Sequence, residues 1–175
     1  MQISLALDAD AMTEATAGMA ARLMDFTPYW EAVASPTIAG WFQSVWETEG
    51  AVINGSPWAP LSETTIALKA KRNRGTMGIL RDSDRLYQSL TVRGDADQLR
   101  SVSPSALFYG TAANSGGAPY PLYLQSGWTM HSIFGRAVAP RKVPARPFVP
   151  VDRLPDPWAE ALRATMLDYV RHGLG

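Results

Sequence analysis

LTVRGDADQLRSVSPSALFYGTA, residues 90–112, is where the hydrophobic period of this 175-residue chain changes. LTVRG, QLRSVSP and ALFYGTA are short runs of β-forming residues divided by the turn-forming GDAD and by Ser103-Pro104, and they predict strands. Upstream the spacing is helical. Met12, Met19, Leu23 and Phe26 recur at i, i+7, i+11 and i+14, a stripe for a first helix capped by Asp8 or Asp10. Thr27-Pro28 has the form of an N-cap with proline at the first helical position, opening a second helix through Trp41, Phe42, Val45 and Trp46 to Gly50, with a kink or break at Pro36. Both stripes are read as core or subunit interface. Before the first helix, Ile3, Leu5 and Leu7 alternate with polar or small residues, a short strand signal.

Between these segments, Ser62 is a good N-cap, and Leu61 with Ile66 has the spacing of a hydrophobic staple. That helix ends in the basic KAKRNRG. Asp82 or Ser83 then offers a cap for a short helix carrying Leu86 and Leu90. Downstream of the strands, ANSGGAP (113–119) reads as a flexible loop, YPLYLQSG as a short helix or turn, and WTMHSIFGRAV as strand or loop. The clearest element is the last: Asp156 caps it, Pro157 starts it, Trp158, Leu162, Met166 and Tyr169/Val170 form its stripe, and Gly173 closes it. The expected class is α+β, with N-terminal helices, a central antiparallel sheet and a C-terminal helix.

A length of 175 residues with 46% hydrophobic content predicts one domain, with a helical part at 1–50, a core at 51–152 and the terminal helix at 153–175. No apolar run reaches the roughly 18–20 residues of a membrane span. The N-terminus lacks the basic and apolar regions of a signal peptide. With no cysteine there is no disulfide framework, which fits a reducing compartment. Net charge is zero, but its parts are segregated. Residues 1–68 hold eight acids against Arg22 alone, −7; residues 69–146 hold twelve cations against four acids, +8; the remainder holds four acids and three cations, −1. Such a split suits association between unlike surfaces.

Catalytic and metal signatures are missing. The two histidines, His131 and His172, stand in no zinc-type spacing. Asp8/Asp10, Asp82/Asp84 and Asp95/Asp97 fall where caps or turns are expected, GTAANSGG lacks the GK[ST] of a phosphate loop, and there is no G-x-S-x-G elbow. No enzyme activity and no cofactor are expected. Basic clusters carry more weight: Lys69, Lys71, Arg72 and Arg74 at 69–74, and Arg136, Arg141, Lys142 and Arg146 at 136–146. They leave open a DNA-binding accessory protein as an alternative, although no aromatic residue interleaves the first cluster.

In order along the chain, WAPLSETTIALKAK (58–71), ILRDSDRLYQSL (79–90), LFYGTAANSGGAPYPLYLQSG (107–127) and VPARPFVPVD (143–152) resemble the phage virion morphogenesis family, the tail completion proteins of contractile-tailed phages. The resemblance runs over residues 45–152. Asp84 stands where that family has glycine, and in YPLYLQSG Leu124 replaces a histidine and Ser126 an aromatic residue. The resemblance implies a non-enzymatic α+β subunit of the virion, assembled in the host cytoplasm, that joins a homo-oligomeric ring at the head-proximal tail end or neck. Its expected partners are further copies of itself and neighbouring neck, tail terminator or head-completion proteins. A non-specific DNA contact in the channel is allowed, and a membrane is not expected.

The strip KVPARPFVPVD (142–152) carries the sharpest site expectation. Pro144, Pro147 and Pro150 hold it near extended or polyproline geometry, so docking costs it little entropy. Arg146 then offers a rigid fork and Phe148 an apolar anchor to a neighbouring subunit, unless the strip closes the edge of its own sheet. Lys69, Lys71, Arg72 and Arg74 are the second candidate interface.

Overall fold

The computed structural model describes residues 9–74, 78–133, 136–150 and 153–174. The alternating stretch at 3–7 and the Asp8 cap lie outside them. Helix α1 spans Ala9–Met24. A helical run then opens with α2, Thr27–Tyr29, passes through one wide π turn at Trp30–Ala34, and continues as α3, Ser35–Glu47. Short helices follow at α4 (Ala51–Asn54), α5 (Glu63–Lys71) and α6 (Arg85–Thr91). Strands β1 (Gln98–Ser103) and β2 (Ala106–Thr111) precede α7 (Tyr120–Ser126), strands β3 (Trp128–Ile133) and β4 (Arg136–Val143), and α8 (Asp156–His172).

The class is α+β, with helices at both ends of the described chain. In place of one central sheet there are two separate two-stranded antiparallel sheets, β1–β2 and β3–β4. The difference lies in LTVRG, expected as a strand: Leu90 and Thr91 finish α6, and turns occupy the rest before β1. β1 keeps the period of two, with half-buried and exposed residues alternating along it. β3 and β4 pair Trp128 with Val143, Thr129 with Lys142 and Met130 with Arg141, then shift register before Ser132.

Pro36 widens the helix where a kink or break was expected. Proline has no amide for the carbonyl four residues back and its ring crowds that carbonyl. The Ser35 amide donates instead to the carbonyl of Trp30, five residues back, and Ser35 Oγ donates to the same oxygen at 2.7 Å. The cap expected at Thr27 sits earlier, since Asp25 Oδ1 accepts from the Thr27 amide at 2.8 Å and those bonds lower the Asp25 pKa.

The chain, expected as one domain, divides into two compact units. The first comprises Met1–Pro36, Ser101–Phe108 and Asp156–Gly175. Its core is Tyr29, Ala34 and Tyr169, ringed by Phe26, Trp30, Leu107, Leu162 and Met166. The α8 stripe therefore packs as its spacing predicts. Tyr29 Oη donates to the Leu162 carbonyl at 3.0 Å, and burial raises the Tyr29 pKa. Arg22 ties α1 to the end of α8, its Nε and an Nη donating to the carbonyls of Val170 and Arg171 at 2.8 and 3.1 Å. A cation there suits the negative end of the helix dipole. The α1 stripe is not core: Met12, Met19 and Leu23 are all exposed in this chain.

The second unit comprises Thr37–Arg100 and Tyr109–Pro155. Phe42, Val45, Trp46, Trp58, Leu86, Leu90 and Phe148 are buried in it. Trp46 is its aromatic hub, edge-on to Trp58 and Tyr87 and tilted 5.8 Å from Phe148. Phe42 stacks on Tyr109, whose hydroxyl donates to the carbonyl of Leu90 at 2.9 Å.

Candidate functional site

Proline at 144, 147 and 150 leaves few amides in the strip, and those of Arg146, Phe148 and Val149 are accepted inside the second unit. The Arg146 amide donates to the Leu124 carbonyl at 2.8 Å, while Gln125 Oε1 accepts from Phe148 and Val149 at 2.9 and 3.2 Å. Gln125 Nε2 donates in turn to the Val149 carbonyl at 2.6 Å. One amide side chain thus reads the strip as a neighbouring strand would. On the other side, the Pro147 carbonyl accepts from Trp58 Nε1 at 2.7 Å and Asn54 Nδ2 at 3.1 Å.

The strip pins its own chain. The Arg146 fork, expected to reach a neighbour, donates to the Ala59 carbonyl at 3.2 and 3.0 Å and to that of Pro60 at 3.3 Å. Arg146 is 7% exposed, and burial without a facing carboxylate lowers its pKa. Phe148, expected as an external anchor, is 2% exposed against Trp46. The physical reason is composition: a stiff strip whose carbonyls stand free is well matched to the donors on Trp58, Asn54 and Arg146 itself. Pro144 is exposed and Pro147 half-buried. Gln125, Asn54 and Trp58 were not singled out from sequence. Gln125, just before Ser126-Gly127, sits inside a segment already compared with the family, and was passed over because attention fell on the neighbouring replacements.

The first basic cluster divides into three roles. Lys69 is buried; its Nζ donates to the carbonyls of Gly78 and Arg81 at 2.8 and 3.3 Å. Burial lowers its pKa, opposed by the charges of Asp82 and Asp84. Arg72 and Arg74 face Asp82 at 3.6 and 2.9 Å, both partly solvated. Lys71 is exposed. Asp82, expected as a helix cap, is taken by this cluster. α6 instead begins after Asp84, which holds a left-handed φ of +58° and makes no side-chain capping bond. Aspartate tolerates that region better than most residues. Arg81 completes the turn with two 2.8 Å bonds to the Asp84 carboxylate, its guanidinium 4.2 Å from the centre of the Tyr87 ring. Between Leu61, Leu68, Leu80, Lys69 and Arg72 lies a cleft of about 230 Å³.

The Arg81 bond holds the Asp84 carboxyl below the ordinary carboxylate value. An unfolded chain therefore takes up this proton first as pH falls, so the contribution is present above about pH 4 and is lost below it. Asp84→Asn is expected to flatten the acid side of the stability profile, measured as thermal midpoint against pH by circular dichroism. An unchanged acid limb would mean that the pair contributes nothing net.

Of the second cluster, Arg146 is internal and Arg141 and Lys142 are exposed on β4. The Asp95/Asp97 pair makes a turn, with Asp95 Oδ1 accepting from the Asp97 amide at 2.9 Å, and both Asp97 oxygens bind the Arg85 guanidinium. His172 meets Asp168 at 2.9 Å one turn back on α8. Among the described residues no three His, Cys, Asp or Glu side chains come together as a metal site, and no helix is long and apolar enough to cross a membrane.

Comparison with protein-family models finds no match, and comparisons with curated proteins and with solved structures find none either.

Proposed function

We propose that this chain is a non-enzymatic structural subunit of a tailed-phage virion, one that assembles with copies of itself into a ring at the head-proximal tail end or neck and serves tail completion and head–tail joining. The observation that carries the reading is the order of the four segments at 58–71, 79–90, 107–127 and 143–152. Three of the four supply residues that meet in one packed unit: Trp58 and Ala59, Leu124 and Gln125, and Arg146 to Val149. Exposed apolar side chains on α1 and α7 are consistent with a subunit that is completed by assembly. Neighbouring neck, tail terminator and head-completion proteins are the proposed partners.

A second reading, a DNA-binding accessory protein, is favoured by exposed Arg141 and Lys142. It is weakened in the first cluster, where Lys69 is buried and Asp82 faces Arg72 and Arg74. Fractionation of purified particles tests the choice. A virion subunit is recovered at fixed copy number per particle, and its removal leaves heads and tails unjoined. Recovery only in the soluble fraction, with duplex binding that weakens steeply with salt, would replace the first reading by the second.

A further inference from the structure

Two exposed surfaces on this chain differ in kind. The first is the α1 stripe of Met12, Met19 and Leu23. It spans eleven residues, about 16 Å of helix. Where α1 meets α8 it does so through Arg22, whose guanidinium is taken by the α8 carbonyls. Arg22 is also the sole cation among residues 1–68, so α1 presents the acids Asp10 and Glu14 without a free positive charge. The second surface belongs to α7 and the β3–β4 hairpin. Leu122 and Tyr123 are 65% and 47% exposed, and the Tyr123 ring lies 6.4 Å from Trp128. Arg141 and Lys142 are exposed on β4, opposite Met130 and Thr129. From residue 98 to residue 151 the sequence contains no Asp or Glu at all.

We propose that the α1 stripe of one copy docks on the Leu122–Tyr123 surface of the next, in a head-to-tail contact. Methionines pack against irregular apolar surfaces with little loss, which suits Met12 and Met19 against a leucine and a tyrosine. Asp10 and Glu14 stand on the side of α1 away from the stripe, so Arg141 and Lys142 steer the approach and do not form pairs within the contact. Because the two surfaces are different, the contact repeats from copy to copy and closes into a ring if the rotation closes. Two-fold pairing of α1 with α1 would bring like charges together. Nucleic acid is the weaker occupant of the second surface, since Leu122 has nothing to offer a phosphate. The inference rests on the self-association proposed above and names its surfaces.

The absence of cysteine makes the test clean. Met19→Cys and Tyr123→Cys are prepared as separate full-length variants, mixed, and oxidised mildly; both positions are exposed, so neither change disturbs a core. The mixed disulfide is expected to dominate over both self-linked products. Arg141→Glu with Lys142→Glu is expected to slow its formation at low salt, with the difference shrinking near 0.5 M, where charges are screened within about 4–5 Å. Self-linked Met19 dimers, or no cross-link in protein that light scattering finds oligomeric, would overturn this pairing while leaving self-association standing. Protein that stays monomeric at every concentration and is missing from particles would overturn both. Suppression of the mixed product by duplex DNA would reassign the Leu122–Tyr123 surface to nucleic acid.

Discussion

Phe148→Ala is expected to lower stability by about 3–5 kcal/mol, the range for emptying a buried aromatic site. The ring lies against Trp46, in the cluster that also holds Trp58 and Tyr87, so its loss opens a cavity at the aromatic hub of the second unit. Arg146→Met adds a different penalty. It removes a buried charge, which is favourable, but leaves the Ala59 and Pro60 carbonyls without their donor, at about 1–3 kcal/mol for each group left buried. Arg146→Lys retains charge but cannot fork between two carbonyls. Chemical denaturation of the three single variants checks the order, with Phe148→Ala the most damaging. A Phe148→Ala protein as stable as the parent would return the strip to the role of an external anchor, because only an unburied ring can be removed without cost.

Gly127→Ala is the second severe substitution expected. Gly127 ends α7 at φ +72° and ψ 163°, a conformation essentially reserved for glycine. A methyl group placed there would lie 2.8 Å from the Ala145 amide nitrogen and 2.9 Å from the Val143 carbonyl oxygen. Both are backbone atoms at the start of the strip, so no side-chain rotation relieves the contact. Backbone strain alone is worth about 1–3 kcal/mol, and the clash adds to it. The measurable result is a large fall in the denaturation midpoint, with increased hydrogen exchange at the amides of Arg146, Phe148 and Val149. Exchange confined to α7 would mean that the strip holds without its glycine.

Several elements were legible from sequence because a local rule decided them. α8 follows its stripe and its closing Gly173, β1 and β2 follow period two around Ser103-Pro104, and the Thr65 amide donates to Ser62 as that N-cap predicts, at 3.3 Å. Elsewhere the deciding partner lay far along the chain. Nothing near Arg146 indicates that Ala59 and Pro60, 86–87 residues earlier, accept its fork. Lys69 looks like a solvated helix end until the carbonyls of Gly78 and Arg81 are placed beside it. The α1 stripe has the spacing of a core helix, yet spacing reports only that one face is apolar and not whether this chain or another covers it. At Pro36 the expectation of a break was too severe, since a helix can widen by one residue and keep going.

The first unit takes its pieces from residues up to 36, from 101–108 and from 156 onward, and this sets an order on its birth at the ribosome. Tyr29, Phe26 and Trp30 are made early, but the Leu162 and Thr165 groups that Tyr29 binds lie 133 and 136 residues later. At 5–20 residues per second the early aromatic group waits roughly 7–27 s for them. During that interval the second unit can gather most of its own segments while the aromatic residues near the start remain uncovered. A nascent chain of this design has greatest need of chaperone cover at its beginning, and it becomes whole only when its last helix arrives.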